Sequence, residues 1–201
     1  MRVSVVLCEH TMDRYDDVVA AAESVYAQTY DDVELVFVSD GNPDVFERFE
    51  ADFGDRDDVR LHCNDENRGL LVSRNNGAEV ATGDIVAFLD DDALAHPEWL
   101  ARLVAAYENH DAIAAGGKMT PMWVDGEARF LPEEFYFLIG ATHRGFGNGV
   151  DQPGEVRNTN GSNISFRREV FLDLGGFDAN IGGRKGDANL QGGETELCER
   201  L

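Results

Sequence analysis

The sequence predicts an α/β fold, with a mostly parallel central sheet, helices on both of its faces and a smaller second lobe. Short apolar runs alternate with segments of helical spacing, and strands that are apolar throughout are typical of parallel sheets covered on both faces. Polar clusters such as "SDGN" and "DDD" follow these runs, which is where such sheets bind ligands. After Gly117 the rhythm changes to a stretch rich in glycine and aromatic residues, which we assign to the second lobe.

The individual elements can be predicted in order along the chain. Apolar runs predict strands at residues 3–7, 33–39, 59–62, 85–89 and 112–116. Helical spacing predicts helices at residues 18–27, 43–52, 70–80 and 97–107, the last with a proline near its start, where proline is favourable. The stretch "ETELCERL" is also helical in spacing, so we expect a C-terminal portion to be missing. We expect residues 1–201 to form one domain with two halves, about 1–92 and about 93–201.

The charge balance limits the kinds of partner. The chain has 39 acidic and 17 basic residues and a formal net charge of −22. Such a surface repels nucleic acid and anionic membranes, so neither is expected as a general partner. The lysines are Lys118 and Lys185, and the other basic residues are arginines. This composition resembles that of proteins adapted to very high salt; an acidic protein from ordinary salt is the alternative.

Cysteine usage and hydropathy indicate an intracellular protein. Cys8, Cys63 and Cys198 are odd in number and far apart, which is typical of reduced thiols. The N-terminus leads directly into a predicted strand rather than a signal peptide. The sequence contains no apolar run as long as a membrane span. We therefore predict a cytoplasmic location.

Three adjacent carboxylates, Asp90, Asp91 and Asp92, follow the predicted strand at residues 85–89. Like charges at this spacing repel one another and are difficult to bury without a cation. They form either a solvated turn before the next helix or a metal site. The position at the end of a buried strand favours the metal site, and hard carboxylate oxygens suit Mg²⁺ or Mn²⁺.

Several ordered motifs resemble the inverting, family 2 nucleotide-sugar glycosyltransferases with the GT-A (Rossmann-like) fold. They are "VSVVLCEHTMDRYDDVVAAAESVYAQTYDDVELVFVSDGN", "NRGLLVSRNNGAEVATGDIVAFLDDDA" and "GSNISFRREVFLDLGGFD". Within the family, runs such as "HCNDENRG" and "GGRKGD" are similar to those of haloarchaeal dolichyl-phosphate-sugar glucuronosyltransferases, which assemble the lipid-linked S-layer N-glycan. The resemblance implies that residues 1–92 bind the nucleotide and residues 93–201 the acceptor.

The same resemblance implies a function. It is the metal-dependent, inverting transfer of a hexuronic acid (glucuronate) or a hexose from a UDP-sugar to a dolichyl-phosphate-linked sugar. The cofactor would be Mg²⁺ or Mn²⁺. The reaction would take place at the cytoplasmic face of the cell membrane, with peripheral membrane association.

The resemblance also assigns roles in donor binding. Asp40 would accept a hydrogen bond from the base ring, although it could also serve the turn "SDGN". Glu9 would contact the ribose or the base. Arg74 would reach the uracil or the diphosphate, with a surface ion pair as the alternative. Asp90 or Asp91 would contact the ribose. Asp90 and Asp92 form the DxD pair of metal ligands.

The catalytic base is expected near the C-terminus, in "GGETELCERL". The family pattern places it at Glu194, but Gly193 replaces the usual acidic neighbour, so both Glu194 and Glu196 remain candidates. As first-turn acids they could instead simply favour the helix dipole. In the second lobe, Arg184 and Lys185 in a Gly-rich loop are candidates for binding the diphosphate or a uronate carboxylate.

The aromatic stretch at residues 130–140 is expected to belong to the core of the second lobe, with a surface for a lipid acceptor as the alternative. Two other functions are considered. A sugar nucleotidyltransferase would need a Gly-rich basic loop after the first strand, where this chain has "CEHTMDRYD". A non-catalytic nucleotide-sugar-binding protein would keep the fold but lose the base or the metal ligands.

Overall fold

A six-stranded sheet forms the centre of the molecule. The computed structural model describes residues 1–144, 146, 153–181, 183–185, 188–190 and 192–201, the two short ranges 183–185 and 188–190 by their backbone alone. The strands of the sheet are β1 (Val3–Glu9), β2 (Val33–Ser39), β3 (Val59–Cys63), β4 (Ile85–Phe88), β5 (Ala114–Gly116) and β6 (Ile164–Arg167). Their order is β3-β2-β1-β4-β6-β5. The first four strands in this order are parallel, whereas β6 is antiparallel to both neighbours. The predicted mostly parallel α/β sheet is confirmed.

Helices cover both faces of this sheet. They are α1 (Tyr15–Tyr26), α2 (Pro43–Phe53), α3 (Leu70–Val80), α4 (Trp99–His110), α5 (Arg168–Asp173) and α6 (Gly193–Arg200). Short 3₁₀ helices lie at Met12–Arg14, Glu133–Ile139 and Gly161–Asn163, and a separate hairpin joins β7 (Gly183–Lys185) to β8 (Ala188–Leu190).

Two apolar clusters, one on each face, follow from the alternation of side chains along the strands. Val5 and Leu7 of β1 point into the cluster that contains α1, α2 and α4. Val6, between them, points into the cluster that contains α3, α5 and α6. Helix α3 packs so closely on β1 that a Cβ at Gly77 would lie 2.5 Å from Val6 Cγ1. The two clusters therefore fix the helices that carry the site residues.

Most predicted elements are present, with shifted ends. Helix α4 begins at Trp99 rather than Pro97, because the carbonyl of Pro97 accepts hydrogen bonds from Thr29. Strand β6 was not predicted from the sequence. Strand β6 is short and carries Ser165, whose hydroxyl is paired with the Tyr107 hydroxyl at 2.9 Å and donates to the Ala115 carbonyl. A buried polar residue satisfied by distant partners gives no apolar run to recognise.

Candidate active site

Arg74 connects the end of β4 to helix α6. It is the fifth residue of α3, one turn from the start of the helix, and its side chain is 3% exposed. Its Nη2 donates to Asp90 Oδ1 at 2.6 Å, and its Nη1 donates to Glu194 Oε1 at 3.2 Å. Its guanidinium carbon lies 5.7 Å from the centroid of the Phe88 ring. Because it is buried between two carboxylates, Arg74 is not the surface ion pair that the sequence left open.

Gly161 makes room for this contact. A Cβ at this position would lie 2.1 Å from Glu194 Oε1 and 2.7 Å from Arg74 Nη1. The neighbouring Ser162 accepts a hydrogen bond from the Asp90 backbone at 3.2 Å. The segment "GSN" therefore belongs to the site, a role that the sequence analysis did not assign. In the sequence, the feature that could have indicated this role is a glycine followed by two polar residues.

The two candidate bases on α6 have different surroundings. Glu196 accepts two hydrogen bonds from Arg200, from Nε at 2.6 Å and from Nη2 at 2.9 Å. Arg200 also donates to the carbonyls of Leu174 and Gly176, so this ion pair joins α6 to the end of α5. Glu194 alone of the two contacts Arg74. The assignment of the catalytic base to Glu194 or to Glu196 stays a prediction.

Gly193, where the family pattern has an acidic residue, lies close to α3. A Cβ there would lie 2.7 Å from Leu71 Cδ1 and 3.2 Å from the Ile181 carbonyl oxygen. A larger side chain at this position would therefore require the Leu71 side chain to shift.

Arg14 lies between two carboxylates of the segment Asp90–Asp92, which we call the acidic turn. Its Nη2 is 2.9 Å from Asp91 Oδ2 and 2.8 Å from Asp92 Oδ2. The Asp91 side chain is 15% exposed, whereas that of Asp92 is 61% exposed. Arg14 ends the 3₁₀ helix after β1, and the sequence analysis did not single it out. In the sequence, the feature that could have indicated its role is a single arginine among the acidic residues of "CEHTMDRYD".

Glu9 lies beside Asp91. Its Oε1 accepts hydrogen bonds from the backbone N–H groups of His10 and Thr11, at 2.6 and 2.8 Å. Burial, and then the hydrogen bond and the charge of Glu9, raise the pKa of Asp91 to about 7. Burial also acts to raise the pKa of Glu9, but its hydrogen bonds with Asp91, His10 and Thr11 outweigh burial and lower it. Glu9 therefore fixes the loop after β1 and modulates Asp91, while its predicted contact with the ribose or base stays a prediction.

Asp40 shapes the loop that leads into α3. Its Oδ1 accepts from the Arg68 backbone at 2.9 Å and from Asn64 Nδ2 at 2.8 Å, and its Oδ2 accepts from the Gly69 backbone at 2.8 Å. Gly69 has φ of 89°, a conformation suited to glycine. Asp40 is 5% exposed. Its proposed contact with the base stays a prediction, and a carboxylate has lone pairs beyond these three bonds.

The carboxylates of the acidic turn fit a divalent cation. Among the side chains that the structure describes, no group of three or more His, Cys, Asp and Glu residues is arranged to hold a metal ion. However, Mg²⁺ is commonly held by one or two carboxylates together with substrate phosphates. Asp91 and Asp92 already share a cationic group, Arg14. Asp90 instead uses Oδ1 for Arg74, so its role as a metal ligand stays a prediction.

Arg184 and Lys185 lie in the β7–β8 hairpin. Their side chains are outside the described part of the structure, and their anion-binding role stays a prediction.

The sequence identifies the family to which this chain belongs. Residues 4–175 match the family described as Glycosyl transferase family 2. The chain belongs to this family. It is 55% identical over 202 residues to the glucosyl-dolichyl phosphate glucuronosyltransferase of Haloferax volcanii, an alignment that covers 100% of this chain and 63% of the relative. It is also 30% identical over 106 residues to the glycosyltransferase AglE of the same organism, covering 51% of this chain and 35% of the relative.

Solved structures show the same fold. The mannosyltransferase PcManGT of Pyrobaculum calidifontis, in complex with GDP-Man and Mn²⁺, superposes with a TM-score of 0.66 at 22% identity, covering 90% of this chain and 48% of that one. S. aureus TarS in complex with UDP-GlcNAc gives a TM-score of 0.68 at 16% identity, covering 98% of this chain and 52% of that one. These likenesses confirm the predicted GT-A fold. The matched part of the chain spans between 35% and 63% of the length of these proteins.

Proposed function

We propose that this chain catalyses the metal-dependent, inverting transfer of glucuronate or a hexose from a UDP-sugar to a dolichyl-phosphate-linked sugar. The observation that carries the proposal is the contact of buried Arg74 with both Asp90 and Glu194. It joins the strand end where the family binds its donor to the carboxylate that the family pattern identifies as the base. The similarity over the whole chain to a glucosyl-dolichyl phosphate glucuronosyltransferase supports the same reaction.

Glu194 has the position and the chemistry of a general base. Its side chain is 25% exposed, and one of its oxygens is held by Arg74. A carboxylate has lone pairs to spare for an acceptor hydroxyl. In the proposed reaction, that hydroxyl oxygen forms a bond to the anomeric carbon while Glu194 takes its proton. The bond from the anomeric carbon to the diphosphate oxygen breaks, and UDP leaves with the electron pair.

The acidic turn would neutralise the leaving group. Asp92, with Asp90 as the other member of the DxD pair, would hold Mg²⁺ or Mn²⁺, and Asp90 or Asp91 would contact the ribose. The ion supplies positive charge that stabilises the departing diphosphate. Arg74 contacts both Asp90 and Glu194. It would therefore keep the donor side and the acceptor side of the site at a fixed separation. Arg184 and Lys185 remain candidates for the uronate carboxylate or the diphosphate.

The retained carboxylate favours a sugar hydroxyl as acceptor. A phosphate acceptor is already ionised and needs no base, whereas a hydroxyl must lose its proton. This agrees with an acceptor in which a sugar is already attached to the lipid phosphate. With such an acceptor, the proposed reaction would take place at the cytoplasmic face of the membrane. Within the described residues no helix is both long and apolar enough to cross a bilayer.

The experiment is a donor and product screen at high salt. The protein is incubated with Mn²⁺ or Mg²⁺, glucosyl-polyprenyl phosphate and UDP-glucuronate or UDP-glucose, and the products are separated. Release of UDP together with a lengthened lipid glycan supports the proposal. Release of pyrophosphate instead means a nucleotidyltransferase. Metal-dependent thermal stabilisation by the donor without any product means a non-catalytic binding protein.

A further inference from the structure

An exposed apolar surface lies in the second half of the chain. It consists of Phe130, Phe135, Phe137, Leu138 and Ile139, which are 87%, 49%, 55%, 67% and 47% exposed. The expectation that this aromatic stretch is core is therefore wrong for these residues. Contiguous apolar side chains at this exposure mark interaction sites more often than ordinary surface.

The inner side of the same segment is anchored. Tyr136 is 9% exposed, and its ring packs edge-on against Trp123 at a centroid distance of 6.1 Å. Because Tyr136 faces inward, its neighbours Phe135 and Phe137 face outward. Phe137 also contacts the His143 ring at 5.6 Å. The apolar surface is thus presented by a supported 3₁₀ helix.

The apolar surface is connected to the active site through a short chain of hydrogen bonds. The carbonyl of Gly140, which ends the 3₁₀ helix, accepts from Asn160 Nδ2 at 2.9 Å. Asn160 Oδ1 accepts from the Ser162 backbone, and Ser162 Oγ accepts from the Asp90 backbone. The surface therefore begins on the loop that forms one wall of the site.

Two cationic residues lie near this region, Lys118 beside the segment at Asn163 and Arg144 beside the 3₁₀ helix. The carbonyl of Lys118 accepts from Asn163 Nδ2 at 3.4 Å, beside the segment that contacts Asp90. Arg144 donates its backbone N–H to the Glu133 carbonyl at 3.2 Å, which places it at the 3₁₀ helix. Its side chain is 72% exposed and 3.7 Å from Glu134, a pair that contributes little in water. Both cations are available to a phosphate.

We propose that the apolar surface binds the polyisoprenyl chain of the acceptor. The apolar surface adjoins the loop that contacts Asp90, with Lys118 and Arg144 nearby. A lipid-linked sugar likewise joins its sugar to an apolar chain through a phosphate. The inference rests on the proposed function, and it assigns a binding surface to the lipid part of the acceptor. An anionic bilayer surface is disfavoured as the occupant, because the chain carries −22 and the exposed Glu133 and Glu134 flank the apolar residues.

The test compares two acceptors that carry the same sugar phosphate. One has a long polyisoprenyl chain in neutral detergent, and the other has a short, water-soluble alkyl chain. The variant is Phe137→Ser combined with Leu138→Ser, both on exposed residues, so folding should be retained. The control is Ile113→Ser, an apolar residue 45% exposed elsewhere on the surface. We expect kcat/KM for the long acceptor to fall by about tenfold or more in the double variant. The short acceptor and the control should show no change.

A binding measurement separates this inference from the proposed function. Thermal stabilisation by sugar-free polyisoprenyl phosphate, relative to detergent alone, should be present in the wild type and reduced in the double variant. Equal kcat/KM for both proteins on the long acceptor, or unchanged stabilisation, would overturn the lipid-binding surface. So would a change in sedimentation coefficient with unaltered lipid binding, since the surface would then join two copies of the chain. Wild-type protein that binds the lipid but transfers no sugar contradicts the proposed function instead.

Discussion

Asp90 and Glu194, 104 residues apart in the chain, are held by the same guanidinium, with Arg74 Nη2 at 2.6 Å from Asp90 Oδ1 and Nη1 at 3.2 Å from Glu194 Oε1. A planar guanidinium fixes both distances at once, which a lysine ammonium cannot do in the same way. The positions of the carboxyl end of β4 and of the first turn of α6 are therefore coupled. In the proposed reaction, this coupling would fix the position of the base relative to the donor.

The first prediction concerns Arg74. Arg74→Gln leaves two partly buried carboxylates without their cation, so we expect a loss of about 2–4 kcal/mol in unfolding free energy. Transfer should slow by about 10²-fold or more, because the base and the donor site lose their common support. Chemical denaturation and product formation measure these effects. Arg102→Gln, which breaks the exposed pair with Glu98, should change neither, and similar losses in both variants would contradict the role of Arg74.

The second prediction separates the two candidate bases. Glu194→Gln should lower kcat by about 10²- to 10⁴-fold, because it removes proton acceptance at the acceptor hydroxyl. Glu196→Gln should keep kcat within a few-fold and lose about 0.5–1 kcal/mol of stability, because it weakens the ion pair with Arg200. Steady-state kinetics at saturating donor and acceptor measures kcat. A larger loss of kcat in Glu196→Gln would reverse the assignment.

Much of the fold could be predicted from the sequence because the strands β1, β2 and β4 are apolar nearly throughout and are followed by polar clusters. Such runs are local, so they can be read without knowing the tertiary structure. Strand β6 could not be read in this way, because its Ser165 is satisfied by Tyr107, 58 residues away in sequence. The presence of helices on both faces of the sheet could be predicted from the parallel arrangement of its strands alone.

The site was predictable in part for the same reason. Residues at strand ends, such as Asp40 and Asp90, can be located from the strands themselves. Arg14 and Gly161 were missed, because their roles depend on distances between segments that are remote in sequence. The choice between Glu194 and Glu196 also required the structure, since both lie in the same helical turn and differ only in their partners. The aromatic stretch at residues 130–140 was assigned to the core because apolar composition alone does not indicate which side chains are exposed.

The third prediction tests the close approach at Gly161. Gly161→Ala should cost about 1–3 kcal/mol of stability and lower activity, because a Cβ there would overlap Glu194 Oε1 and displace it from Arg74. A double-mutant cycle measures this specifically. In a Glu194→Ala background the added methyl no longer overlaps the carboxylate and meets only the end of the Arg74 side chain, so the further loss of stability on Gly161→Ala should be smaller. Additive losses in the two variants would show that the overlap with Glu194 is not the cause.

The fourth prediction concerns Arg14 as a competitor for the acidic turn. Arg14→Gln removes a cation that lies within 3 Å of both Asp91 and Asp92. We expect Mn²⁺ to bind the donor-free variant several-fold more tightly, by about 1 kcal/mol, because the carboxylates no longer need to release an internal partner. Electron paramagnetic resonance of bound and unbound Mn²⁺ measures the affinity. Arg48→Gln, at the remote pair with Asp52, serves as the control, and weaker Mn²⁺ binding in Arg14→Gln would contradict the competition.

The fifth prediction is a pH dependence that arises far from the site, at Glu34. This side chain is 1% exposed and accepts hydrogen bonds from Ser4 Oγ, from the Thr82 hydroxyl and backbone, and from Arg60 Nε. Burial acts to raise the pKa of Glu34, but these hydrogen bonds outweigh it and lower the pKa below its usual value of 4.5. In the folded protein Glu34 therefore binds its proton less readily than in the unfolded chain.

The sign of the effect follows from this difference. The stability that Glu34 contributes is fully present above about pH 4.5 and is lost as the pH falls through the lower pKa of the folded state. Glu34→Gln should cost roughly 1–3 kcal/mol at pH 7, and the cost should shrink below pH 4.5, where the wild type also loses its carboxylate. Urea denaturation from pH 3 to 7 at constant salt measures both curves. A cost that stays constant across this range would mean that the charge of Glu34 does not stabilise the folded protein.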